Sequence, residues 1–213
     1  DNQGSFVNAN RFMALLLEHL LNTRQFRGPV ARSIATTHML DRIARKNGLS
    51  ALETPVGFKY IGQCLREKGC MLGGEESGGL SILGHVPEKD GILACLLAAE
   101  MVAHSGKTLA ELEAELVEKY GNMFSRRLDI QINPAEKPAI LARLDEYRPK
   151  TIAQTGVEST STLEGLKMVL EDGSWVLIRP SGTEPLFRIY VEAGREEQLL
   201  SLQKEVLQSL GLS

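Results

Sequence analysis

The sequence predicts an α/β three-layer domain with a mainly parallel sheet over residues 1–121, followed by a small α+β domain with an antiparallel sheet over residues 122–213. Three observations carry this prediction. Up to Tyr120, short apolar runs alternate with stretches of helical periodicity, as in strands joined by helical crossovers. Gly121-Asn122-Met123 then interrupts the pattern. Beyond it come one strand, one helix, three strand-like runs in succession and a closing helix, an order that pairs neighbouring strands antiparallel.

Each element has its own signal. Residues 10–22 place Phe12, Leu15, Leu16 and Leu20 at helical spacing, against a polar side with Arg11 and Glu18. Residues 29–35 read as a short strand. Thr36 or Thr37 is placed to cap a helix running to Lys46, which Asn47-Gly48 ends. Residues 51–55 read as a second strand, 58–68 as a helix, and 70–72 as a third strand entering a glycine-rich turn. Two helices, 92–103 and 109–120, close the domain, the second with Thr108 and Glu111 at the spacing of a capping box. In the second domain, residues 128–132 alternate as a strand and 134–147 have helical periodicity. Strands lie within 161–170, 174–179 and 187–193, with Glu171-Asp172-Gly173 as a hairpin turn, and 196–210 form an amphipathic helix.

Composition limits the function classes. With 213 residues, 43% hydrophobic and 24% charged, the chain has ample material for a buried core. A net charge of −3 leaves no basic excess to neutralise a phosphate polymer, so no nucleic-acid partner is expected. A local basic pocket for a single phosphate stays compatible with it. Cys64, Cys70 and Cys95 lack CxxC spacing and read as reduced packing thiols. The apolar stretches 12–21 and 92–103 are too short to span a bilayer and contain Glu18, His19 and Glu100. No signal-peptide pattern opens the chain, so the expected location is cytoplasmic, with no membrane partner. The start at Asp1, with no methionine and a helix almost at once, reads as that of a cut piece.

Two stretches carry chemistry. In RPSGTEPLFR, residues 179–188, Arg179 and Arg188 bracket a Ser-Gly-Thr turn between two strand-like runs. Backbone N–H groups, hydroxyls and two guanidinium forks at one spot suit a tetrahedral anion. An ordinary hairpin with two solvated arginines is the competing reading. In GGEESGG, residues 73–79, glycines let the backbone bend tightly around Glu75, Glu76 and Ser77, an acceptor-rich group suited to sugar hydroxyls or a metal. A solvated turn explains the same composition. A polar loop, HVPEKDG at residues 85–91, follows directly before an apolar helix.

These stretches, together with ETPVGFK at residues 53–59, resemble in order and separation the α-D-phosphohexomutases, above all the phosphoglucomutase/phosphomannomutase group. The resemblance covers the whole chain but only the C-terminal half of such an enzyme. It implies that Glu75, Ser77 and Gly57 face the sugar, and that Lys89 lies near the transferring phosphoryl group. It assigns Arg179, Ser181, Gly182, Thr183 and Arg188 to the non-reacting phosphate, with His85 and Lys59 as further candidates. It also implies a hexose phosphate substrate, Mg²⁺ in the full-length enzyme, a glucose 1,6-bisphosphate-type activator, and N-terminal domains as intramolecular partners. Neither the Ser-His active loop nor a DGD-type metal loop occurs in this sequence, so the piece alone is expected to be inactive. Gly79 stands where some subgroups have a histidine, so that histidine's role does not carry over. A stand-alone phosphosugar-binding module is the alternative. A hydrolase using Glu75 and Glu76 as an acid–base pair is disfavoured, because paired catalytic carboxylates sit about 5–10 Å apart across the scissile bond.

Overall fold

The structure is a computed structural model and describes residues 1–24 and 26–212. It comprises two compact units, Asp1–Gly121 and Asn122–Ser213.

The first unit runs α1 (Ala9–Thr23), β1 (Val30–Ser33), α2 (Met39–Lys46), β2 (Ala51–Thr54), α3 (Phe58–Lys68), β3 (Leu72–Gly74), β4 (Leu80–Ile82), α4 (Gly91–Ser105) and α5 (Leu109–Tyr120). Its four-stranded sheet has the order β2-β1-β3-β4. β1 is parallel to both β2 and β3, and β4 is an antiparallel edge strand. Central β1 is buried along its whole length. On one face, Phe58, Ile61 and Leu65 of α3 pack with Ala31 and Cys70. On the other lies α1, whose Met13, Leu16, Leu17 and Leu20 have no exposed surface. The remaining helices pack around α1 and the sheet: α2 on β1 and β2, α4 on β4, and α5 against α1.

The capping box predicted at Thr108 and Glu111 is present, and helix α3 has the predicted bounds. The third strand differs from expectation. It runs two residues further, through Gly73 and Gly74, and pairs with β4, which sequence periodicity did not mark out. The reason is steric. A Cβ at Gly73 would stand 2.5 Å from Ile61 Cγ2 of α3, and one at Gly74 2.3 Å from Met13 Sδ of α1. Both helices close on the strand from opposite faces, so its last two positions exclude every side chain.

Glu18 ties α1 to α5. It accepts from Lys119 Nζ and, at 2.6 Å, from the Tyr120 hydroxyl. Burial alone would push this carboxyl up, but these donors outweigh it and hold Glu18 below its ordinary value of 4.5. A carboxyl lowered in the folded state stabilises only while ionised. Its contribution is complete above the unfolded-state value and vanishes as pH falls through the lower folded-state value. Glu18→Gln is therefore expected to be less stable than the parent at neutral pH and to converge with it in acid, below the lowered folded-state value. Urea midpoints at the two pH values check this, and a constant gap between the proteins would contradict it.

The second unit runs β5 (Phe124–Gln131), a 3-10 turn (Pro134–Glu136), α6 (Lys137–Glu146), β6 (Thr151–Ile152), β7 (Thr155–Ser161), β8 (Leu166–Leu170), β9 (Trp175–Pro180), β10 (Leu186–Ala193) and α7 (Glu196–Leu210). The six-stranded sheet has the order β5-β10-β9-β8-β7-β6 and is antiparallel throughout. Helices α6 and α7 supply Ile140, Leu144, Leu199, Leu202 and Val206 to a core completed by Met168, Val176, Ile178, Phe187, Ile189 and Val191. Strands β6 and β7 were not predicted. Their residues Glu158, Ser159 and Thr160 are exposed and polar, so no apolar alternation marks them.

Among the described residues no single helix is long and apolar enough to cross a membrane.

Candidate functional site

In the first unit, the predicted residues gather at the C-terminal ends of the parallel strands, where open α/β sheets place their ligands. The loop after β3 is closed by Gly78 N donating to Glu75 O and Glu75 N donating to Gly79 O, each at 2.9 Å. Ser77 is exposed at its tip, whereas Glu75 is buried. Glu75 does not simply point outward. Its Oε1 accepts from Gly57 N at 2.9 Å, so this carboxylate also holds the turn after β2. Gly57 has φ +127°, a conformation that a side chain resists, and it opens α3.

Glu76 is anchored to the end of β1. Its backbone N–H donates to Thr36 Oγ1 at 3.0 Å, and its Oε2 accepts from Ser33 Oγ at 3.1 Å. The two hydroxyls are themselves 2.8 Å apart. Lys89, exposed in the loop before α4, lays its stem along Gly79, with Cδ 3.2 Å from where a Cβ would stand. Any larger residue at 79 displaces that lysine. The loops after β1, β2 and β3 and the entry to α4 thus form one connected polar surface.

Two candidates take other positions. His85 Nε2 lies 3.0 Å from Asp90 Oδ2, while Asp90 Oδ1 caps α4 by accepting from Ile92 N and Leu93 N. The Leu93 N–H, with His85 and Ile92 N–H, holds the Asp90 carboxyl below the usual carboxylate range. His85 therefore braces the helix cap. Lys59 is exposed on the first turn of α3, with Nζ 4.7 Å from the Tyr60 ring centroid.

In the second unit, β9 and β10 bring the two arginines together. Arg179 and Arg188 are direct cross-strand partners. Side chains in such positions stand about 4.5–5.5 Å apart at Cβ, a distance at which like charges repel. Three carboxylates offset this. Arg179 Nε donates to Glu164 Oε2 at 3.0 Å, Arg188 Nη2 donates to Glu184 Oε2 at 2.9 Å, and Asp129 Oδ2 lies 3.7 Å from Arg188 Nε. Arg127, with desolvation opposing it and Arg188 adding to it, holds the Asp129 carboxyl below its usual range. Arg188 Nε is buried with no hydrogen-bond partner, which leaves one unused guanidinium donor beside the turn.

The turn itself is well anchored. Ser181 is buried, its N–H donates to Leu186 O at 2.9 Å, and its Oγ accepts from Glu184 N at 3.2 Å. Gly182 and Thr183 are exposed, and a Cβ on Gly182 would meet nothing within 4 Å. Sequence reasoning missed Glu164, Ser33, Thr36 and Lys137, whose ammonium donates to Ser181 O at 2.8 Å. Only Glu164 had a signal, the glycine after it. Gly165 has φ +107° and lies against the backbone of Ile178 and Arg179.

Comparison with known proteins finds a match for each unit. Residues 8–120 match the family described as "Phosphoglucomutase/phosphomannomutase, alpha/beta/alpha domain III", and residues 130–209 match "Phosphoglucomutase/phosphomannomutase, C-terminal domain". A phosphoglucomutase/phosphomannomutase of Thermococcus kodakarensis is 33% identical over 198 residues, covering 93% of this chain and 41% of that protein. A phosphoglucomutase of Komagataeibacter xylinus is 33% identical over 205 residues, covering 88% of this chain and 37% of that protein. The open form of parafusin, a phosphoglucomutase of Paramecium, has the same fold, with a TM-score of 0.78 at 24% identity over 97% of this chain and 42% of its own. The chain thus spans about two fifths of the length of the relatives it matches. It belongs to the phosphoglucomutase/phosphomannomutase family, of which it carries domain III and the C-terminal domain.

Proposed function

We propose that this chain is the substrate-recognising part of an enzyme that interconverts hexose 1-phosphate and hexose 6-phosphate through a phosphoserine carried elsewhere in a longer parent. The observation that carries the reading is the direct pairing of Arg179 with Arg188 beside a Ser-Gly-Thr turn whose Gly182 and Thr183 are exposed. Each guanidinium is already paired with a carboxylate on its flank, and a phosphate between the two accepts from the remaining N–H groups of both forks together with the turn's N–H and hydroxyl groups.

In this reading Arg179, Ser181, Gly182, Thr183 and Arg188 hold the phosphate that does not react. Glu75 and Ser77 read the sugar hydroxyls, with Gly57 shaping the wall beside them. Glu75 Oε1 is committed to Gly57, so its other oxygen is the one available to the sugar. Lys89, poised along Gly79, supplies a cation for charge developing on the transferring phosphoryl group. His85 and Lys59 act outside the first contact layer, His85 through the Asp90 cap.

Among the described residues no group of three or more His, Cys, Asp or Glu side chains is arranged to hold a metal ion. Mg²⁺, which neutralises charge during phosphoryl transfer, is in this reading held by N-terminal domains of the parent, and a glucose 1,6-bisphosphate-type molecule primes the enzyme. The outward apolar side chains of α4, Ile92 at 75% and Leu96 at 64% exposure, fit packing against those domains.

Titration calorimetry with glucose 1-phosphate and glucose 1,6-bisphosphate tests the phosphate site. The chain is expected to bind, and Arg179→Ala to weaken binding at least about tenfold, the worth of a charge-assisted hydrogen bond. Equal binding by the variant refutes the clamp. The chain alone is expected to show no mutase turnover, and turnover by the purified 213 residues refutes that part.

A further inference from the structure

Helix α6 begins at Lys137, directly after the 3-10 turn that follows β5. Its ammonium reaches the phosphate turn of the second unit, donating to Ser181 O at 2.8 Å and lying 3.4 Å from Glu184 O. The segment leading to it is held in the same place, because Ile132 N donates to Pro185 O at 3.0 Å and Gln131 pairs with Leu186. Lys137 therefore meets the turn at both ends of Ser181–Glu184, from a rigid base.

The consequence follows from peptide geometry. Among the described residues there is no cis peptide bond. In a trans peptide the C=O and N–H groups of one unit point in opposite directions. Ser181 C=O and Gly182 N–H belong to the same unit, so a cation that fixes the carbonyl on one side turns the N–H to the other. Gly182 and Thr183, which follow that peptide, are exposed. We propose that Lys137 is a positioning residue of the phosphate site: it locks the Ser181–Gly182 peptide so that the Gly182 N–H faces an incoming phosphate, and it adds a cation beneath a turn flanked by Glu164, Glu184 and Asp129. Nothing in the motif at residues 179–188 points to it, because it lies more than forty positions upstream on another element.

The proposal rests on the phosphate reading of that turn, so its test has two arms. In the first, glucose 1-phosphate and inorganic phosphate are titrated into the wild-type chain, Lys137→Met, Lys137→Arg and Arg179→Ala. Lys137→Met is expected to weaken both probes about tenfold and Lys137→Arg to recover part of the loss. In the second, backbone ¹⁵N order parameters and amide exchange are measured without ligand. The Gly182 order parameter is expected to fall in Lys137→Met, while amides of β9 and β10 keep their protection against exchange.

A lysine that merely stabilises the unit would move the β9 and β10 amides along with Gly182 and leave the affinity of the folded protein unchanged, and that result overturns the proposal. Weakened binding with an unchanged Gly182 order parameter overturns it as well, since the effect is then charge alone. If wild type and Arg179→Ala bind equally, the phosphate reading fails. The relaxation arm then decides only whether Lys137 fixes the peptide, and an unaltered Gly182 order parameter refutes it.

Discussion

Arg32→Met is expected to destabilise the first unit by about 3 kcal/mol, near the lower end of the roughly 3–5 kcal/mol seen when one partner of a buried ion pair is removed. Arg32 lies on central strand β1 at 3% exposure. Its Nη2 donates to Asp41 Oδ1 at 2.9 Å and its Nη1 to Glu53 Oε2 at 2.7 Å, with a further Nε bond to Asp41. Burial pulls the guanidinium down, but the two carboxylates outweigh it and raise it above its ordinary value. Methionine fills much of the space and leaves two carboxylates facing each other without their shared cation. Their side chains are 24% and 30% exposed, so water recovers part of the loss, which sets the estimate low in the range. With a urea dependence of about 1–3 kcal/mol per molar, the midpoint falls by about 1–3 M. Far-UV circular dichroism during urea unfolding measures it. Arg32→Lys keeps the charge without the fork and is expected to fall between the two proteins. A shift below about 0.3 M for methionine would mean that the ion pairs contribute little beyond their own desolvation.

Arg32 also marks where sequence reasoning stops. The strand around it was legible, because Val30, Ala31, Ile34 and Ala35 form an apolar run closed by turn residues. A buried arginine within it was not, since its counter-charges come from α2 and β2, elements brought alongside only by the fold. Long helices with their own caps were legible to within a residue or two, as with the Thr108–Glu111 box. Strands with polar or glycine residues were not. Strand β3 continues through Gly73 and Gly74 because two helices close on it, and β7 is polar because three successive side chains, Glu158 to Thr160, meet solvent. Both features belong to tertiary packing, which periodicity does not record.

The site divides the same way. Residues within one loop, Glu75 to Ser77 or Arg179 to Arg188, announced themselves through local composition, because a turn that bends around a ligand needs glycine and hydroxyl residues together. The groups that hold those loops did not. Ser33 and Thr36 support Glu76 from the end of a different strand, and Gly57 is fixed by Glu75. Glu164 orients Arg179 across fifteen positions. Each is an ordinary residue in sequence and acquires its role from a neighbour distant in the chain.

Gly165→Ala is expected to have the largest effect on the second unit, on stability and phosphate recognition together. Gly165 has φ +107°, and an added Cβ would stand 2.3 Å from Ile178 O and 3.0 Å from Arg179 Cα. Both obstacles are backbone, which no side-chain rotation relieves. The conformational cost of a side chain at such a φ is about 1–2 kcal/mol, and the collision adds at least as much, so a loss of about 2–4 kcal/mol is expected. Trp175, the single tryptophan, sits at 1% exposure on β9, two strands from the edge of the same sheet. Its fluorescence during urea unfolding therefore reports this unit. Relief requires β8 and the turn before it to move away from β9, which draws Glu164 off Arg179 Nε. Phosphate affinity is thus expected to fall in Gly165→Ala even where the unit remains folded. Glu164→Gln, which leaves the backbone in place, is expected to keep the stability and change the affinity alone. If Gly165→Ala loses stability yet binds glucose 1-phosphate as the parent does, the Glu164–Arg179 contact does not position the clamp, and Arg179 is held by β9 alone.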